Sequence, residues 1–170
     1  MLISKDCKID QCTSKDHFKE SLKEILFNGK SLIATDGHIL SIVEPIEIHE
    51  TDKPGMIPVK AFKEALKTGQ LNVNGSIKVG DTTFKSELKP SDYPDYERVL
   101  PQFKKTIIKL AINPQLLQRL ANALGSKDKI VLEFGSETFK DSGEFLYPCG
   151  PIKASNIVND NTGIIMPLTV

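Results

Sequence analysis

Asp36 and His38 stand two residues apart in the run Thr35-Asp36-Gly37-His38, the one stretch of this chain that resembles an acid/base site. A carboxylate and an imidazole can move a proton only when both converge on a substrate, and the chain offers no nucleophile beside them. The stronger reading makes Asp36-Gly37 a turn, with His38 opening the next strand; an enzyme built on this pair is the weakest of three functional readings. No glycine-rich phosphate loop of either common spacing is present. Cys7, Cys12 and Cys149 are odd in number and lack a Cys-x-x-Cys pair. They point neither to a disulfide framework nor, with His17, His38 and His49, to a zinc site. No cofactor and no metal are expected.

The charged residues offer a different chemistry. Lys60, Lys63 and Lys67 cluster on one predicted helix, and Arg119 and Lys127 lie on or just after a second. These five are candidate phosphate contacts that would read no bases; the alternative is an ordinary solvated face. Lys+Arg and Asp+Glu number 22 each, so no net charge draws the whole chain toward nucleic acid. With 170 residues, 39% hydrophobic and 26% charged, the chain has the composition of one globular domain or two small ones sharing a core. The start Met1-Leu2-Ile3-Ser4-Lys5-Asp6 lacks the apolar stretch of a secretory leader, and no run suits a membrane span. A cytoplasmic location is expected.

The elements that must position these groups follow from periodicity. Residues 1–17 are polar and give no clear pattern. Ile25-Leu26-Phe27 reads as a strand, although Phe18, Leu22, Ile25 and Leu26 also fit a helical stripe. Asn28-Gly29 predicts a two-residue hairpin turn into Ser31–Ala34, and Asp36-Gly37 a second turn into Ile39–Val43. Met56-Ile57 starts a short strand. A helix follows over Pro58–Thr68, with Ala61, Phe62, Ala65 and Leu66 on its apolar side and Gly69 at its end. Strands are expected over Ser76–Val79 and Thr82–Leu88, joined at Gly80-Asp81. The pattern returns with a strand over Ile107–Ile112 and a helix from Pro114 capped by Asn113, with Leu116, Leu117, Leu120 and Leu124 buried and Gly125 closing. Strands follow at Ile130–Phe134, Ile152–Ile157 and Gly163–Leu168. A strand–helix–strand–strand unit thus occurs twice, about 55 residues apart. The fold class is α+β, with antiparallel sheets and helices on one face.

Three separated stretches carry a resemblance. Ala34-Thr35-Asp36-Gly37-His38-Ile39-Leu40, Tyr93-Pro94-Asp95-Tyr96-Glu97-Arg98-Val99-Leu100-Pro101 and Ile164-Ile165-Met166-Pro167-Leu168-Thr169-Val170 resemble, in order, three segments of the bacterial DNA polymerase III beta subunit, the sliding clamp. The chain stops where that family's C-terminal motif does. The resemblance covers most of residues 18–170 and implies a DNA-clamp-like fold. On it, residues 1–53 are an N-terminal strand and hairpin remnant of a half-domain, 54–101 the first β-α-β-β unit and 102–170 the second.

The resemblance also implies a site. In the family, the three stretches line an apolar pocket that takes a short linear peptide of polymerase, clamp loader or repair proteins. Carried over by position, the pocket residues are Thr35, Gly37, His38 and Leu40, then Pro94, Arg98 and Val99, then Ile164, Met166, Pro167 and Leu168. Gly37 would admit close backbone approach, and Arg98 would meet a peptide carboxylate or carbonyl. Core packing is the competing explanation for each. Family members carry three domains of two units each, whereas this chain has two units and a remnant, and three usually basic family positions are Ile39, Glu97 and Thr169 here. One reading is therefore a miniature replication clamp, a homo-oligomeric ring around double-stranded DNA, tetrameric if the remnant counts as a unit. The alternative is a monomeric peptide-binding decoy or regulator of a host clamp.

Overall fold

A computed structural model describes residues 1–15, 19–100, 111–126, 129–134, 152–156, 158 and 161–166. The chain divides into two compact units, Met1–Leu100 and Pro101–Val170. The segments 1–53 and 54–101 thus lie, but for Pro101, in one unit, and they share one core.

The first unit is built on a four-stranded antiparallel sheet of β1 (Glu24–Phe27), β2 (Leu32–Thr35), β3 (Leu40–Val43) and β4 (Gly55–Pro58), ordered β3-β2-β1-β4. Alternation along these strands sends apolar side chains to both faces. Ile25, Phe27, Leu32, Ala34 and Ile57 face a large core. Leu26, Ile33 and Met56 face a second cluster with Leu22 and Tyr93. Helix α1 (Val59–Thr68) adds Ala61, Phe62 and Ala65, all fully buried, to the large core. Its start is Val59, because Pro58 still pairs with Glu24 in β4 and serves as N-cap rather than first helical residue. Strands β5 (Asn72–Val73), β6 (Ile77–Val79) and β7 (Thr82–Phe84) form a second antiparallel sheet that adds Val73, Ile77 and Val79.

Three expectations change. The first hairpin turns on Gly29-Lys30, one residue later than Asn28-Gly29. The Asn28 N–H donates to Ser31 O, and its carboxamide oxygen accepts from the Lys30 and Ser31 amides. Gly29 supplies the positive φ of 98° that this turn needs. The strand expected over Thr82–Leu88 ends at Phe84, because Ser86 Oγ donates to Glu24 Oε2 and accepts from Leu88 N. The N-terminus is not a polar appendage: Met1, Ile3 and Ile9 are buried in the large core. Leu2 bridges Glu47 and Gln70, while Leu71 N donates to Met1 O. The Met1 ammonium lies 2.5 Å from Leu71 O and 2.6 Å from Asp52 Oδ2, with both side chains inaccessible to solvent.

In the second unit, α2 (Pro114–Ala123) is capped by Asn113, whose Oδ1 accepts from Gln115 N. Strands β8 (Val131–Glu133), β9 (Ile152–Ser155) and β10 (Thr162–Ile165) form an antiparallel sheet ordered β10-β9-β8. Its core is small among the described residues: Leu124, Ile152, Ala154 and Ile165 are buried, and Ile112, Leu117, Leu120, Leu132 and Phe134 are half-buried against Ile152 and Ile165. The strands at Ile130–Phe134 and Gly163–Leu168 are shorter than expected or shifted, and Ile107–Leu110, Ile157 and Pro167–Leu168 lie outside the described residues.

Candidate functional site

The turn between β2 and β3 is organised by its own side chains. Thr35 Oγ1 donates to Ile39 O at 2.6 Å and accepts from Gly37 N at 3.1 Å. Asp36 Oδ1 accepts from His38 N at 2.8 Å and Ile39 N at 2.9 Å. The backbone N–H groups of Ile39 and then His38 hold the Asp36 carboxyl below its usual range. That carboxylate is engaged by its own turn, which is the geometry of a loop staple rather than a free general base. Gly37 takes φ of 94° with open space beside its Cα, so nothing blocks approach at that point. Ile39 N is held by Asp36, which explains why the next strand begins at Leu40 and not at Ile39.

The second stretch covers the opposite face of the same sheet from α1. Tyr93 is buried against Leu26, Ile33 and Met56, with Leu40, Leu88 and Tyr96 packed at the edge of that cluster. Burial pushes the Tyr93 phenol up to about 12. Among the described residues its Oη meets no partner in good hydrogen-bond geometry, and the nearby Thr35 backbone offsets only part of the rise. Tyr96 Oη accepts from Asn28 Nδ2 at 2.9 Å and ties the segment to the first hairpin. These anchors bring the second stretch onto the sheet face that carries Thr35 and Leu40, which pair across β2 and β3.

What this face leaves open is apolar. Leu40 is half-buried, Ile42 two residues on is 42% exposed, and Ile39 is 51% exposed. Pro94 and Arg98 are exposed, and Val99 is 71% exposed. Arg98 Nε stands 3.9 Å from Asp95 Oδ2, a loose surface pair that leaves the guanidinium accessible. The seven first-unit residues therefore lie in two segments joined through Tyr93 and Leu40, and most are solvent-facing rather than core. Ile42, Tyr93, Tyr96 and Asn28 belong to the same face and were not among the expected pocket residues. The signal for Ile42 and Tyr93 was the apolar alternation of β1–β4 on both sides, which requires something to cover the second face.

In the second unit, Ile164 and Met166 are exposed, and with Leu116, Arg119, Leu120 and Ile165 they line a shallow groove of about 430 Å³ between α2 and β10. Gly163 makes this close approach possible: a Cβ there would stand 2.7 Å from Leu120 Cδ1. Pro167 and Leu168 lie outside the described residues.

The candidate phosphate contacts divide. Lys60, Lys63 and Lys67 share the solvent face of α1 at helical spacing. Lys63 Nζ is 3.8 Å from Asp10 Oδ2, and Lys67 Nζ is 2.7 Å from Glu64 Oε2. Lys60 has no ion pair among the described residues. Arg119 is exposed in the second unit, and Lys127 lies outside the described residues. No group of three metal-ligating side chains gathers among the described residues, and no helix there is long and apolar enough to cross a membrane.

No family model matches the chain. Among curated proteins it is similar to the beta sliding clamp of Borreliella burgdorferi, with 30% identity over 156 residues, 82% of this chain and 40% of the relative. Among solved structures it is similar to DNA polymerase III subunit beta from Borrelia burgdorferi in complex with a natural product. The TM-score there is 0.55 at 18% identity, over 95% of this chain and 44% of that one. At that identity the likeness speaks for the fold, which is α+β and clamp-like. The chain spans less than half the length of both proteins.

Proposed function

We propose, on the premise that this chain is a shortened relative of the bacterial sliding clamp, that it is a non-catalytic replication accessory protein that holds short linear peptides of polymerase, clamp-loader or repair partners. The observation that carries the reading is the exposed apolar face of the first unit. There the turn Thr35–Leu40 and the segment Tyr93–Val99 are anchored on one side of one sheet, with Ile42 and Val99 uncovered. Such a surface suits an extended peptide: apolar walls supply affinity, and the Gly37 backbone and the Arg98 guanidinium supply orientation. Ile164, Met166, Pro167 and Leu168 enter this reading on the sequence resemblance alone.

The test is fluorescence anisotropy with a labelled clamp-binding peptide. Roughly micromolar affinity is expected, near −8 kcal/mol. Val99→Asp should abolish binding without unfolding a chain in which that side chain is already exposed, because it sets an uncompensated charge against apolar ligand atoms. Normal binding by Val99→Asp would remove Val99 from the site. Met166→Asp asks the same of the C-terminal stretch.

Encirclement of double-stranded DNA by a homo-oligomer is the second reading, and the shared solvent face of Lys60, Lys63 and Lys67 favours it. It predicts a stable closed oligomer by light scattering and retention on circular DNA that linearisation releases. A monomer at all concentrations would leave the decoy or regulator role for the peptide-binding face.

A further inference from the structure

The exposed face is apolar at its centre and acidic around it. The turn between β2 and β3 contributes Asp36, and the segment that follows β7 contributes Asp92, Asp95 and Glu97. Counted over Thr35–Leu40 and Lys89–Val99, these four carboxylates stand against two cations, Lys89 and Arg98, leaving two net negative charges. The Asp36 charge is fixed by backbone N–H groups of Ile39 and His38. Arg98 is shared with Asp95, its Nε 3.9 Å from Asp95 Oδ2, which weakens its pull on a ligand carboxylate. Glu97 is exposed and has no ion pair among the described residues. The chain as a whole is neutral, so the imbalance belongs to this face.

We infer that the peptides taken by this face carry Lys or Arg beside their apolar residues, and that acidic flanks are discriminated against. The inference rests on the peptide-binding reading above and specifies the class of partner that reading leaves open. The apolar side chains set whether a peptide binds, and the surrounding carboxylates set which one. Exposed charges of this kind act mainly on association rate and on rejection of like-charged ligands, and salt screens them.

The experiment compares three labelled nine-residue peptides with one shared apolar core and flanking pairs of Lys-Lys, Ser-Ser or Glu-Glu, using the full chain. At low salt, affinity should fall in that order, with the Lys- and Glu-flanked peptides separated by about tenfold. The gap should shrink to about twofold near 0.5 M salt, where the screening length is only a few ångströms. Glu97→Lys should close much of the gap between the Lys- and Glu-flanked peptides, and an unaltered circular dichroism spectrum would confirm the fold. Equal affinities, or preference for the Glu-flanked peptide, would overturn this inference and leave the peptide-binding reading standing. Failure of all three to bind would overturn that reading and this inference together. Binding of the Lys-flanked peptide that survives Val99→Asp would show charge attraction without the apolar site, and would also overturn it.

Discussion

The two helices have the same length, similar spacing of apolar residues and different fates. Helix α1 buries Ala61, Phe62 and Ala65 completely, whereas no residue of α2 is fully buried among those described. At the equivalent positions α2 carries Leu116, Leu117 and Leu120, more apolar volume than α1 offers. The difference lies in what each helix meets. The two small alanines let α1 lie close while Phe62 fills a core supplied by two sheets and the N-terminal segment. Leu116 remains 42% exposed, and Leu117 and Leu120 rest against a three-stranded sheet. An amphipathic stripe states which side of a helix is apolar. The surrounding layers decide how much of that side leaves water.

The comparison yields predictions of decreasing size. Phe62→Ala should destabilise the first unit by about 4 kcal/mol through an unfilled cavity. Leu117→Ala, its counterpart, should cost only about 1–2 kcal/mol, and native-state hydrogen exchange would read the two units separately. Equal costs would mean that α2 is as deeply packed as α1. Asp52→Asn should cost the first unit about 3 kcal/mol by leaving the buried Met1 ammonium without its anion. Burial alone would raise the Asp52 pKa, but hydrogen bonds from the Met1 ammonium and from the Val73 and His49 amides bring it below the usual aspartate value. A depressed carboxyl stabilises above its unfolded pKa, about 3.9, and that contribution fades as pH falls toward the folded value. Denaturant midpoints of wild type should therefore drop more steeply below pH 4 than those of Asp52→Asn.

Glu24 acts with the opposite sign and smaller effect. Burial raises its pKa, the Ser86 hydrogen bond offsets part of this, and Glu20 adds to the rise. A raised carboxyl costs stability once it is ionised, and the cost is relieved as pH falls through the folded value. Glu24→Gln should change stability at neutral pH by less than about 1 kcal/mol, and the Ser86 contact should persist in its crystal structure.

Much of this architecture was visible in the residues. The helix ends came from Gly69 and Gly125 and the second start from Asn113-Pro114, while the first start moved from Pro58 to Val59, and Val79-Gly80-Asp81-Thr82 announced its own turn. Three features escaped, each because local signals were outvoted by distant partners. Ile3 and Ile9 are spaced by polar residues with no period, and they are buried because the segment is laid between residues 46–47 and 69–71. Asn28 suggested a turn centre, but its carboxamide is engaged with the Lys30 and Ser31 amides and Tyr96. Tyr93 belonged to a recognisable motif, yet its place as cover for the second sheet face depends on Leu26, Ile33 and Met56, far away in sequence. For the candidate site, the motifs contain Thr35, Gly37, Leu40 and Val99 together with Asp36, Asp95 and Glu97, whereas Ile42 lies outside them and joins that face only through the pairing of β2 and β3.

The docking of Met1 beside Leu71 carries a consequence for synthesis. Partners separated by 70 positions cannot meet while the ribosome still holds the later one. The backbone partners of Ile3 and the cover of Ile9 are thus incomplete until the β5 region has cleared the exit tunnel. Translation speed over the first unit, and any chaperone waiting there, thus bear directly on how often this protein reaches its native state.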